Sequence, residues 1–176
     1  MNYRKHILEN KVNYILARPS NGRTQFLKLI MDQYNEGIIV NLKKENLLND
    51  NENIEVINDP INLNDLDLKD HKVLFLNNAT IIGFYNEGSV NVYKLLRKIN
   101  KEKNITVICV GSYITFLEYK ESLLANADRV IKLHREYYYS KKEEDRLKIS
   151  MEIHDNMDNY DEFYEDEITF EDLTEK

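Results

Sequence analysis

One cysteine, two prolines, five glycines and no tryptophan occur in 176 residues. A single thiol excludes an internal disulfide framework and a cysteine-built zinc cluster. That thiol, Cys109, lies inside the apolar run Ile105–Val110, and a reducing cytoplasm is the simplest setting for the chain. No apolar run approaches the roughly 20 residues that span a bilayer, so no membrane partner is expected. Nothing behind the opening Met1–His6 is apolar and long enough to act as a signal peptide. Positive charge is also in short supply. The 24 Lys and Arg face 31 Asp and Glu, a net charge of −7. Phosphate contacts need clustered cations, so strong nonspecific binding to nucleic acid is not expected.

Hydrophobic residues make up 42% of the chain and charged residues 31%, an ordinary globular balance. The length suits one domain, residues 1–176, around one core. The acidic charge is concentrated in residues 155–167, where Met157, Tyr160, Phe163 and Tyr164 interrupt the carboxylates. That stretch reads as a solvated loop or as a patch for a basic partner. It lacks the ligand spacing and central glycine of a calcium loop.

Apolar patterning gives the elements. Lys11–Leu16 reads as a strand, followed by a turn holding Pro19 and Gly22. Thr24–Tyr34 places Phe26, Leu27, Ile30 and Met31 at helical spacing, and Gly37 reads as the helix stop. Ile38–Leu42, Ile54–Ile57, Lys72–Leu76 and Ile105–Val110 read as strands. Asn58–Asp70, which carries Pro60, reads as irregular, Asn78–Gly88 as turn-like, and Val90–Ile99 as a helix. Tyr113–Ala127 is ambiguous. Arg129–Leu133 and Leu147–Ile153 read as strands joined by a charged, tyrosine-rich connection, and Ile168–Leu173 as a last strand. Strands alternating with helices predict an α/β fold whose central sheet is mostly parallel and flanked by helices, with antiparallel strands added at the C-terminal edge. There is no internal repeat.

Ala17-Arg18-Pro19-Ser20-Asn21-Gly22-Arg23-Thr24 falls between the first strand and the first helix. A phosphate-binding loop belongs there, because backbone N–H groups and a helix N-terminus then face an anion. Against G-x-x-x-x-G-K-[ST], Gly22 and Thr24 match, Ala17 stands at the first glycine and Arg23 at the lysine. With its flanks, Tyr14–Phe26 closely resembles the A-R-P-S-x-G-K-T-x-F loop of DnaB-type replicative helicases. Ala127-Asp128-Arg129-Val130-Ile131-Lys132-Leu133-His134-Arg135-Glu136-Tyr137-Tyr138 resembles that family's A-D-x-V-x-x-L-x-R-x-x-Y-Y segment. The resemblance runs collinearly over nearly the whole chain and implies a RecA-like ATPase domain. Ile168–Leu173 resembles its closing strand.

The same resemblance implies that the hydrolytic residues are replaced. Lys43 stands where the family's strand carries the glutamate that polarises the attacking water. Asn77 stands at the Walker B aspartate, Ser112 at the glutamine that senses the γ-phosphate, and Glu152 and His154 at the lysine and arginine that reach a neighbouring subunit's ATP. Arg23, planar and larger than an ammonium, cannot take the lysine's position. No catalytic residue is therefore expected. Arg18, Ser20, Asn21, Gly22, Arg23 and Thr24 form the candidate nucleotide site. Its implied cofactor is ATP or ADP, bound weakly and without Mg²⁺. The alternative is that Arg18 and Arg23 merely decorate an inherited turn.

DNA binding is doubtful, since Ser112–Ala127, at the position of a channel loop, is apolar and offers only Lys120 against Glu118 and Glu121. Tyr137-Tyr138-Tyr139 could stack bases or straddle a strand edge. His6, His71, His134 and His154 lack ligand spacing, and Ser112 has no evident triad partners. The 176 residues hold no counterpart of the family's N-terminal domain or linker helix, so a monomer or weak homo-oligomer is expected. Three functions follow: a non-catalytic replication-associated module that pairs with a replicative helicase, a loader or another replication protein; a divergent ATPase using Arg23 and Glu45; or an assembly protein without nucleotide.

Overall fold

The computed structural model describes residues 2–86, 88–135, 148–155 and 157–168. The tyrosine-rich connection with Tyr137–Tyr139, and residues 169–173 of the expected last strand, lie outside these.

Six parallel strands, β1 (Val12–Ala17), β2 (Gly37–Val40), β3 (Ile54–Ile57), β4 (Val73–Asn77), β5 (Thr106–Ser112) and β6 (Arg129–His134), form the sheet with antiparallel β7 (Ile149–His154) and β8 (Tyr164–Ile168). The strand order is β3-β2-β4-β5-β1-β6-β7-β8. Strands covered on both faces read as continuous apolar runs rather than alternating ones, and β1, β2 and β4 are buried throughout. The expected α/β architecture, with its antiparallel edge, is the observed one.

Side chains of the central strands feed two cores, one on each face. On one face α1 (Arg23–Met31) buries Phe26, Leu27, Ile30 and Met31 against Ile15, Phe75 and Ile108. On the other, α2 (Ala79–Phe84), α3 (Ser89–Lys103) and α4 (Tyr113–Leu124) cover Tyr14, Leu76 and Cys109. Edge-to-face pairs lock both layers: Tyr34 on Phe75 and Tyr14 on Tyr93, each with ring centroids 5.5 Å apart. Helix α3 places Lys101 and Lys103 in its last turn, where cations suit the helix dipole, and ends at Asn104 in the left-handed conformation.

Four expectations are corrected. Gly37 is not a helix stop: α1 ends at Met31, and Gly37 opens β2. A Cβ there would lie 2.9 Å from Phe75 Cε2 and 3.2 Å from the Val73 carbonyl, so the strand needs glycine for close approach. The supposed turn Asn78–Gly88 contains α2, because Asn78 caps it by accepting from the Ile81 N–H and because Ala79 and Ile82 are buried one turn apart. The ambiguous Tyr113–Ala127 is helical through Leu124, with non-helical backbone at Tyr119. The acidic stretch 155–167 is not loop throughout: β8 begins at Tyr164, four residues before the strand expected at Ile168. It accommodates acidic residues because it is the outer strand of the described sheet and its carboxylates have cations to meet. Asp166 lies 3.1 Å from Lys5 Nζ and 3.3 Å from His6 Nε2, and Glu167 lies 2.6 Å from Lys148 Nζ. Charge on an outer strand also discourages pairing with another chain.

Candidate functional site: a phosphate-type cradle

Strand β1 ends at Ala17, flanked in register by Ser112 at the end of β5 and Leu133 on β6. The chain then turns through residues 18–22 into α1. Gly22 takes φ +73°, and a Cβ added there would fall 2.2 Å from Ile149 Cδ1, so both backbone and packing call for glycine. Gly22 occupies the cap position of α1 and offers no side-chain acceptor. The first N–H groups of α1 have no intrahelical partners, and they open onto a cavity of about 390 Å³. Of the expected site residues, Arg18, Ser20, Gly22, Arg23 and Thr24 line this cavity. Asn21 instead donates its side-chain amide to the Leu133 carbonyl at 3.2 Å, bracing the loop against β6. Arg135 does the same from outside, donating to the Ser20 carbonyl at 3.0 Å.

Pro19, Gln25, Glu45, Asn46 and Leu47 complete the wall. Glu45 belongs to the loop after β2, and the Thr24 hydroxyl donates to its Oε2 at 2.5 Å. Burial lowers the Arg23 pKa below the usual guanidinium value, and the nearby Glu45 charge partly offsets that. Arg23 Nε is buried without a hydrogen-bond partner. The cavity thus presents two cations, one carboxylate and an uncapped helix end.

The replaced positions are each occupied by internal work. Lys43 is exposed and outside the cavity wall. Asn77 and Asn41 are fully buried. They leave adjacent strands side by side, one residue beyond the paired Val40 and Leu76, and Asn77 Nδ2 donates to Asn41 Oδ1 at 3.0 Å. The Ser112 hydroxyl caps α4 by accepting from the Ile114 N–H at 3.2 Å. Glu152 and His154 lie on β7 opposite Lys132 and Val130, away from the loop end of the sheet. Burial opposes the Glu152 charge, but the Lys132 ammonium at 3.0 Å and the neighbouring His134 hold its carboxyl below the usual range. His154 is buried, stacked on Tyr160 at 4.2 Å, with its pKa lowered chiefly by desolvation. Asn41, Gln25 and Leu47 were not expected at the site. A buried asparagine at a strand end was the one available signal, for Asn41. Among the described residues no group of three or more His, Cys, Asp or Glu is arranged to hold a metal ion, and no helix is long and apolar enough to cross a membrane.

A parallel sheet with a loop-to-helix anion cradle at the carboxyl end of its first strand defines the RecA-like class of nucleotide folds. Two solved structures share it. One, the ATPase domain of a DnaB-like replicative helicase, superposes with a TM-score of 0.63 at 14% identity, over 93% of this chain and 82% of that one. The other, a DnaB-like replicative helicase solved in a study of its interactions with primase, gives 0.63 at 14%, over 92% of this chain and 56% of that one. The chain has the fold of DnaB-like replicative-helicase ATPase domains. No protein-family profile matches it, and no curated sequence matches it.

Proposed function

We propose that this chain is a catalytically silent relative of the DnaB-type helicase motor that works as a replication-associated interaction or regulatory module. The observation that carries the reading is the occupation of the former charge positions. Phosphoryl transfer is catalysed by positioning and by opposing charge around the terminal phosphate. Here a buried amide, a helix cap and an internally paired acid stand at those positions. Loss of one such donor typically costs on the order of 10²-fold or more in rate, and several losses together leave no useful turnover. The cradle keeps a weak site for ATP or ADP, with no Mg²⁺ shell.

The partner is a replicative helicase, a helicase loader or another replication protein. The primase interactions of the second structural relative make primase-bearing assemblies a natural place to look. DNA is not proposed as a ligand, because the segment after β5 exposes Ile114 and Leu117 rather than cations. We further propose one domain over residues 1–176, a monomer or weak homo-oligomer, in the cytoplasm. The test is addition of the purified chain to an active replicative helicase. A change in unwinding or ATPase rate, with recovery of the helicase in a pull-down, is expected. No recovery and no effect contradict the module.

A second reading, a divergent ATPase, is favoured by one observation: Glu45, not Lys43, brings a carboxylate to Thr24. Magnesium-dependent hydrolysis lost on Arg23→Ala supports it.

A further inference from the structure

The Thr24 hydroxyl, which the loop presents to the cavity, is already satisfied by Glu45 Oε2 at 2.5 Å. Glu45 is not a freely rotating surface acid. Its backbone is gripped at both ends by one side chain: its N–H donates to Asn41 Oδ1 at 3.3 Å, and its carbonyl accepts from Asn41 Nδ2 at 3.1 Å. The Glu45 carbonyl also receives the Leu48 N–H at 3.0 Å, and Leu48 is buried beneath α1. Because the Glu45 backbone fixes which end of the Asn41 amide is oxygen, the neighbour of Asn41 Oδ1 must be a donor. Asn77 Nδ2 fills that place at 3.0 Å. An aspartate at position 77 could not donate while ionised. The asparagine at the former metal-shell position therefore braces the loop that delivers Glu45.

We propose that Glu45 is the cradle's resident anion, held by the Asn41–Asn77 amide relay, and that it sets the site's selectivity by excluding free phosphate-bearing ligands until it is displaced. This rests on the non-catalytic reading above. An entering phosphate would meet a like charge at the hydroxyl it needs, beside an Arg23 charge that the carboxylate already offsets. Like charges at contact in a partly desolvated site repel strongly. The same cavity without that charge has the features of an anion site: a helix N-terminus, Arg18 and Arg23.

The test compares the intact chain with Glu45→Gln by titration calorimetry, using ADP and inorganic phosphate without metal. The glutamine amide oxygen can still accept from Thr24, and a melting curve for each protein checks folding. The variant is expected to bind at least about tenfold more tightly. Hydrogen exchange on the intact chain gives an independent readout. Saturating phosphate should speed exchange in residues 43–48 as Glu45 leaves. A variant that binds no tighter, or no binding by either protein, overturns the resident-anion role and leaves the silent-module reading standing. ATP hydrolysis by the intact chain that is lost in Glu45→Gln overturns both, and makes Glu45 a catalytic residue.

Discussion

Asn77→Asp restores the carboxylate that the helicase resemblance expects at that position, and the structure predicts that it harms the protein. Asn77 is fully buried, and its Nδ2 donates to Asn41 Oδ1. An ionised carboxylate there faces an oxygen across 3.0 Å, so the hydrogen bond is lost and two acceptors oppose each other. Leaving a buried polar group unsatisfied costs about 1–3 kcal/mol, and burial of an uncompensated charge adds to it. A total near 3 kcal/mol is expected, or roughly 6–12 °C in Tm for a chain of this size. The introduced acid titrates above its unfolded value because burial favours its neutral form. The folded state then binds more protons than the unfolded one, so the variant's deficit shrinks as pH falls toward the ordinary carboxylate range. Thermal unfolding of both proteins between pH 4 and 8 measures this. A variant as stable as the parent at pH 8, or one that gains magnesium-dependent ATP hydrolysis, refutes the argument that position 77 is structural.

Three further outcomes follow. Gly22→Ala must take φ +73° and push Ile149 from a 2.2 Å contact; about 1–3 kcal/mol of destabilisation in urea unfolding is expected, and a neutral variant contradicts the loop geometry. His6 and His154 both have lowered pKa values, chiefly through burial. Their unfolded forms take up protons first, so stability is full above about pH 6.5 and declines as pH falls below it; a Tm that is flat from pH 7.5 to 5.5 refutes that. Burial pushes the Cys109 thiol well above its ordinary value, so it should resist a thiol reagent at pH 8 in the native protein and react after denaturation.

The sequence exposed the sheet because strands buried on both faces must be apolar runs, as at Val73–Asn77 and Thr106–Ser112. It also exposed the loop from Ala17 to Thr24, whose chemistry is local. What it hid depended on neighbours distant in sequence. Gly37 looks like a helix stop until Phe75 is placed against it. The edge strand Tyr164–Ile168 looks like loop until Lys5, His6 and Lys148 meet its carboxylates. The Asn41–Asn77 relay joins residues 36 apart, and it exists only because β2 and β4 end in register. The replaced residues were visible one by one. Their new employment, as brace, cap and ion-pair member, required the fold.

The central claim is that the cradle persists without the charges that hydrolysis needs. Release of inorganic phosphate from ATP by the purified chain with Mg²⁺ present tests it most directly. The account predicts a rate indistinguishable from the no-protein control. Turnover at an ordinary motor rate, abolished by Arg23→Ala, would contradict it.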